Sequence, residues 1–359
     1  MRFHNAPLIK ELCIQLGPQC PIDADIAKWV AKAIDPCLRE LVFILRWNSG
    51  PIVMPKSLYT CKTLTILVLS DNILVDVPCE VDLPSLYQLD LDSVVYKDED
   101  SHVRLLSSCP ALKNLFVIRL DDVDDNVRKF TVKVPSLLRL TYLGRLFGED
   151  EDSDGSLVID TPDLIYLNIL DGSEHSCSIK HMPRLMRALI NVASHPVDNL
   201  LTSLSSIEYL ELSPSGGTMV PWCNAVYSLL TRCCICQFDP DLCESLVVLL
   251  SNCPKLEVLM VDSTFLIDRS ENHAPFLWNQ PSSVPKCLSS HLMIFKLKGY
   301  AGREDEKELI RYILENSKCL KRADISMNST CNLEKKQKMI DELESMPSVS
   351  TSLMCLFFA

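Results

Sequence analysis

Three thiols crowd into "RCCICQF", residues 232 to 238: Cys233, Cys234 and Cys236, with Cys233 and Cys236 at C-x-x-C spacing and Cys243 further on. A zinc site of this kind requires a second pair at similar spacing, and none is present, so the segment reads as packed or exposed reduced thiols. "DEDSDG", residues 150 to 155, puts Asp150, Asp152, Asp154 and Gly155 at the opening positions of a calcium loop. Thr161 then stands where a bidentate glutamate is required, and "SLVIDTP" suits a strand better than an exiting helix. The loop reads as a solvated acidic connection. "SPSGGT" (213 to 218) lacks the lysine of a phosphate loop and reads as a turn. The seven histidines are dispersed, without HExxH, G-x-S-x-G or G-x-G-x-x-G. No catalytic residue, cofactor or metal site is nominated, although a Ser/His/Asp set assembled only in space escapes such a reading.

Composition bounds the rest. In 359 residues, 47% are hydrophobic, ample for a core, and 47 acidic against 35 basic residues give a net charge of −12. That balance repels phosphate backbones and anionic lipid, so neither nucleic acid nor a membrane surface is an expected partner. No apolar run approaches membrane-spanning length, and the N-terminus has no signal-peptide core. Seventeen cysteines, an odd number, then read as reduced thiols, and the expected location is cytoplasmic, nuclear or both.

The elements behind these residues follow a repeat. "SCPALKNLFV" (108 to 117) returns as "NCPKLEVLMV" (252 to 261). The underlying apolar-x-x-apolar-x-apolar phrase occurs at Ile9-Leu12-Ile14, Leu38-Leu41-Phe43, Leu64-Leu67-Leu69, Leu86-Leu89-Leu91, Leu112-Leu115-Val117 and Leu137-Leu140-Tyr142. It continues at Leu164-Leu167-Ile169, Ile207-Leu210-Leu212, Leu256-Leu259-Val261, Leu292-Phe295-Leu297 and Leu320-Ala323-Ile325. Most steps are 22 to 29 residues, the spacing of leucine-rich repeats; three longer steps of 43, 49 and 36 mark insertions or degenerate repeats. The L-x-L end predicts a short strand with one buried face. Burying three such side chains gains roughly 5–9 kcal/mol, whereas ordering the backbone of a repeat costs on the order of 25–50 kcal/mol. A repeat must therefore stack on its neighbours. Pro84, Pro110, Pro135, Pro162 and Pro254 lie two residues before a repeat leucine, where a fixed φ steers the chain into the strand. Cys109 and Cys253 read as small buried fillers. Residues 100 to 109 and 241 to 253 carry helical spacing and belong on the convex side.

At this point the chain resembles the plant F-box/FBD/leucine-rich-repeat proteins. The resemblance rests on "SLYTCKTLTILVLS" (57 to 70), "VDLPSLYQLDLDSVVYKDED" (81 to 100), "LLSSCPALKNLFV" (105 to 117), "VPSLLRLTYLG" (134 to 144) and "IDTPDLIYLNI" (159 to 169). Residues 278 to 326 are similar to the FBD segment. The resemblance implies a substrate-recognition subunit whose F-box docks on the Skp-type adaptor of a cullin ubiquitin ligase. Only eight residues precede Ile9 and no LPxxLL-like phrase occurs, so the Skp-type adaptor is not an expected partner of these residues. The alternative is a truncated form of a complete adaptor.

The expected fold is thus an α/β leucine-rich-repeat solenoid: a curved parallel sheet over residues 1–277, helices and loops on its convex side, and an FBD-like α+β segment, 278–359, continuing and capping it. In that segment Glu304, Asp305 and Glu306 suit a helix N-terminus, Leu309, Ile310, Ile313 and Leu314 supply its apolar face, and "LEKKQKMIDELES" groups Met339, Ile340 and Leu343. This end reads as a structural cap or as a docking surface, the cap being favoured. The expected function is non-enzymatic recognition of a protein on the concave face. Its central row is Cys13, Val42, Val68, Asp90, Phe116, Thr141, Asn168, Glu211, Met260, Lys296 and Asp324. Flanking it are Gln88, Asp92, Asn114, Arg139, Tyr166 and Tyr209. Phe116, Tyr166 and Met260 are the candidate anchors, with mutual packing as the equal alternative.

Overall fold

All eleven phrases become parallel strands in the computed structural model, each with its L-x-L leucines turned to the same side. The structure describes residues 9–19, 26–34, 37–46, 50–119, 127–144, 155–172, 176–192, 204, 206–213, 226–236, 243–264, 283–328 and 333–358. The acidic loop at 150–154 and most of "SPSGGT" lie outside them. The chain forms two compact units, Met1–Leu185 and Met186–Ala359.

In the first unit the main sheet consists of β1 (Glu11–Leu16), β2 (Glu40–Leu45), β4 (Ile66–Asp71), β6 (Gln88–Asp92), β8 (Asn114–Ile118), β10 (Arg139–Leu143) and β12 (Tyr166–Asp171), paired in that order. Two smaller parallel sheets lie on the return legs. One is β3 (Ile52–Val53), β5 (Ile73–Val75) and β7 (Val95–Tyr96); the other is β9 (Lys129–Lys133), β11 (Ser156–Asp160) and β13 (Ser176–Ile179). Among the described residues of this unit the helices are α1 (Ile26–Ala33), α2 (Ser101–Ser107) and a 3₁₀ turn at Lys56–Thr60. The return legs of this unit therefore carry more strand than the helices and loops expected for them. "KFTVK" (129 to 133) shows why: its β-branched and aromatic residues alternate strictly, and Phe130 and Val132 are buried while Lys129 and Lys133 are exposed.

The second unit pairs β14 (Arg187–Val192), β15 (Tyr209–Leu212), β16 (Arg232–Cys236), β17 (Val258–Asp262), β18 (Ile294–Tyr300), β19 (Arg322–Met327) and β20 (Met354–Phe358). Its described helices are α3 (Cys243–Ser251), α4 (Lys286–Ser290), α5 (Glu304–Asn316) and α6 (Leu333–Glu344). The 43-residue step conceals β14, and the 49-residue step conceals β16. Their inward residues are Ala188 with Ile190 and Cys233 with Ile235, and the two small side chains hide the leucine pattern.

Main-chain hydrogen bonds set the geometry of successive coils. The carbonyl just before a strand accepts two amides of the next coil: Thr65 from Tyr87 and Gln88 at 2.8 and 3.0 Å, then Tyr87 from Lys113 and Asn114 at 2.9 and 3.1 Å. Lys113 and Leu138 continue the series in the first unit, and Met186, Glu208, Thr231, Glu257 and Met293 do so in the second. The prolines, two residues before the repeat leucine as expected, act in the turn that leads into the strand. Leu86, Leu112, Leu137, Leu164 and Leu256 each donate to a carbonyl three residues back, so each proline occupies the second position of a tight turn, which its fixed φ suits. The residues that open these turns, Leu83, Cys109, Val134, Thr161 and Cys253, are all buried. Cys109 is the buried filler anticipated, donating its thiol to the Leu105 carbonyl at 3.1 Å, and burial pushes its pKa up to about 12.

Lateral register stacks the inward side chains in rows: Leu41, Leu67, Leu89, Leu115, Leu140 and Leu167 form one, and Phe43, Leu69, Leu91, Val117, Tyr142 and Ile169 the next. All are buried. In the second unit α5 buries Leu309, Ile310, Ile313 and Leu314, and α6 buries Met339 and Leu343 with Ile340 half-buried. The acidic start of α5 does more than face a helix dipole. Glu306 is 2% exposed, and one carboxylate oxygen accepts the amides of Ala301 and Arg303, both at 3.0 Å. Gly299, at φ +77°, sits at a bulge in β18 where an added Cβ would fall 2.8 Å from the Thr264 nitrogen.

Two adjacent residues on β10 separate the roles of the two sheet faces. Leu140→Ala is expected to lower the unfolding free energy by about 2–5 kcal/mol, whereas outward Thr141→Ala stays within about 0.5 kcal/mol. Chemical denaturation of both variants checks this, and equal losses would contradict the assignment of faces.

Candidate protein-recognition face

Because side chains alternate along a strand, burial of one set exposes the other. In the first unit the pairing aligns Cys13, Val42, Val68, Asp90, Phe116, Thr141 and Asn168 in one lateral row. Gln88, Asn114, Arg139 and Tyr166 form a parallel row beside it. Cys13 and Arg139 are exposed, and the others are half-buried. The structure thus brings the expected residues of this unit onto one face. A third row, Ser70, Asp92, Ile118, Leu143 and Leu170, contains three apolar residues that sequence reading missed. Counting two places beyond the central residue of each strand would have found them.

The polar members are tied to one another. Gln88 Nε2 donates to both Asp90 oxygens, at 3.3 and 3.1 Å, and Ser70 Oγ donates to Asp92 Oδ2 at 3.1 Å. Burial raises the Asp90 pKa above the ordinary aspartate value, with the Gln88 hydrogen bond opposing that shift. Asp90 is thus a carboxylate deprived of part of its water, a state that favours a donor group from outside.

In the second unit the corresponding row is Leu189, Glu211, Cys234, Met260, Lys296, Asp324 and Leu356. Leu189, Cys234 and Leu356 are additions; each lies on a strand where alanine or cysteine takes the place of the first strand leucine of the phrase. Arg187, Tyr209, Arg232, Val258, Ile294, Arg322 and Met354 run alongside. The Arg187 and Arg232 guanidinium carbons lie 4.2 and 5.8 Å from the centre of the Tyr209 ring, so two cations flank one aromatic face system. Tyr209 donates its hydroxyl to Glu211 Oε2 at 2.8 Å; burial, then that bond, pushes its pKa up to about 12. Lys298 pairs with Asp262 at 3.3 Å, while Lys296 and Arg322 converge on Asp324 at 3.4 and 2.6 Å.

The cysteines divide differently from their C-x-x-C spacing. Cys233 is buried on the inward side, and burial pushes its pKa up to about 12. Cys234 and Cys236 share the other side of β16, with their sulfurs 3.6 Å apart. Residues three apart on a strand face opposite ways, so Cys233 and Cys236 cannot converge, and the pair that meets is C-x-C. The Cys243 side chain lies outside the described residues. Among the described residues every cysteine is a free thiol, no group of three or more His, Cys, Asp or Glu is placed to hold a metal ion, and no helix is long and apolar enough to cross a membrane.

Comparison with known proteins places this geometry. Residues 26–186 match the family model described as "FBD-associated F-box protein At5g56370, LRR repeats", and residues 280–325 match the FBD model. A putative F-box/FBD/LRR-repeat protein of Arabidopsis thaliana is 57% identical, over 98% of this chain and 81% of its own length. The chain belongs to the plant F-box/FBD/LRR-repeat family. Other Arabidopsis thaliana members are a putative FBD-associated F-box protein, 46% identical over 99% of this chain and 82% of its own, and an F-box/FBD/LRR-repeat protein, 36% identical over 99% and 84%. The α/β solenoid-like repeat with an FBD at its C-terminal end is the fold that this F-box/FBD/LRR-repeat membership implies, and it is the architecture observed. Family membership also makes the chain an interaction module of the leucine-rich-repeat kind.

The Asp90 shift yields a pH test. Its folded pKa is raised above the unfolded value, so the ionised carboxylate opposes folding at neutral pH, and that opposition fades as pH falls through the folded pKa. Asp90→Asn is therefore expected to be more stable than the parent at neutral pH, the gain vanishing on acidification into the carboxylate range. Denaturant titrations across pH measure it; a gain that persists in acid would contradict the cause given.

Proposed function

We propose that this protein is a non-enzymatic recognition module that holds a protein partner against the outward faces of its main-sheet strands. One observation carries the reading. Inward positions are apolar in coil after coil, whereas the outward row changes chemistry at every step from Val68 through Asp90, Phe116 and Thr141 to Asn168. Packing demands uniformity; selection of a particular partner demands variety. On the first unit the binding residues are Asp90, Asn114, Phe116, Arg139, Thr141, Tyr166 and Asn168, with Phe116 and Tyr166 as anchors. On the second they are Tyr209, Glu211 and Met260. Aromatic and large apolar side chains dominate such interfaces energetically.

The double variant Phe116→Ala with Tyr166→Ala tests this. It is expected to fold as the parent does by circular dichroism and to lose at least tenfold in affinity for a partner identified by cross-linking to the parent chain. Undiminished affinity removes the outward face of the first unit from the interface.

The names of the relatives support a finer reading, in which the chain is the substrate-binding part of a ubiquitin-ligase adaptor. In this reading it works in the cytoplasm or nucleus. Because the chain spans 81% of its 57% identical relative, a second reading makes it the recognition portion of a complete adaptor. An in-frame F-box exon upstream in the transcript decides for the second reading, and under either one co-expression with a Skp-type adaptor is expected not to retain it on the 359 residues. A stable complex would establish that adaptor docking resides within them.

A further inference from the structure

The outward sulfurs of β16 are not accounted for by partner recognition. Cys234 Sγ and Cys236 Sγ are 3.6 Å apart, close enough for one to reach the other by a small rotation about its own side-chain bond. They differ in surroundings. Cys234 is 3% exposed, whereas Cys236 is half-buried and lies 3.8 Å from Glu211 Oε1, with Asp262 beside it in register and the Ser213 hydroxyl as a further hydrogen-bond partner. One sulfur is reachable from solvent and the other waits behind it. Such an arrangement suits sequential attack.

We propose that Cys234 and Cys236 form a reversible redox dithiol, in which Cys236 attacks a small-molecule disulfide of the glutathione type and Cys234 resolves the product. In the first step the Cys236 thiolate forms a bond to one sulfur of the small disulfide, whose S–S bond breaks and releases one thiolate to be protonated. In the second, Cys234 gives up its proton to solvent and attacks the Cys236 sulfur, expelling the second small thiol. Both protein thiols are oxidised, the small disulfide is reduced to two thiols, and the two thiol hydrogens leave with them. The Cys234 hydrogen bond lowers the Cys236 pKa, favouring it as the attacking sulfur, against opposing contributions from burial, Glu211 and Asp262; the same bond and burial raise that of Cys234. Residues two apart on a strand have Cα atoms about 6.6 Å apart, near the long limit of about 6.8 Å for a disulfide. The bridge is accordingly strained and easily reduced, a property of switching disulfides and not of structural ones.

Incubation of the full chain with oxidised glutathione, followed by tandem mass spectrometry of the tryptic peptide 233–255, tests the proposal. The parent is expected to lose two hydrogens between Cys234 and Cys236, to carry no glutathione there, and to recover both with dithiothreitol. Exposed Cys13, Cys79 and Cys319, having no resolving partner described beside them, are expected to retain glutathione instead. Cys234→Ser should trap the glutathione adduct on Cys236, and Cys236→Ser should leave Cys234 unmodified. A stable adduct on Cys236 in the parent, a bridge from Cys233, or an untouched peptide while the exposed cysteines react would each overturn the assignment. The same reaction in guanidinium should lose its selectivity; selectivity retained there would show that the fold does not create the pair.

Discussion

One main-chain arrangement recurs along the main sheet of each unit: in coil after coil, the carbonyl that precedes a strand binds two consecutive amides of the following coil. That fork fixes lateral register, and in a sheet register decides which side chains face inward. A slip of one residue at Lys113 would turn Leu140 outward and Thr141 into the core, because alternate residues occupy opposite faces. The leucine rows and the variable rows are therefore two consequences of the same hydrogen bonds. The turn before many of these strands, opened by a buried residue and often carrying proline second, delivers the chain to the fork at the correct angle.

Much of this was legible in the sequence because leucine is both common in the inward positions and easily distinguished from its polar neighbours. Where the inward residue is Ala188 or Cys233, or where exposed Cys355 takes the same register on β20, the coil remains but the pattern fades. The preface survives better than the strand: Met182-Pro183-Arg184-Leu185 has the same turn as Val134-Pro135-Ser136-Leu137, and Leu185 donates to Met182 at 3.2 Å. Strands such as Ile52–Val53 are too short for any period to show. Which thiols of the cysteine cluster meet was not legible for a related reason: C-x-x-C spacing implies convergence on a turn or helix, whereas on β16 the extended backbone sends Cys233 and Cys236 to opposite faces. The outward residues of the first unit were predictable once the period was known, but their mutual bonds, such as that of Gln88 with Asp90, were not.

Acidic residues hold unlike roles despite similar local sequence. Glu306 lies in the run Glu304-Asp305-Glu306, yet it alone is buried, satisfying two amides at the head of α5 while Arg303 Nη2 stands 3.6 Å from its other oxygen. Burial raises its pKa; the two amide bonds and Arg303 counteract that shift, so desolvation is partly offset by directed dipoles. Lys307, one residue on, instead joins α5 to α6 through Glu342 at 2.8 Å. Charge thus joins α5 to α6, a link that a hydrophobic pattern alone would not reveal.

Since the forks are made of peptide groups, they are indifferent to which amino acids occupy the coil on either side. Gene duplication or loss of a whole coil leaves the joint chemically intact, and a new arrival inherits its place without a bespoke mate. Lineages built this way can lengthen, shorten and re-letter their exposed rows while the seam between turns stays constant.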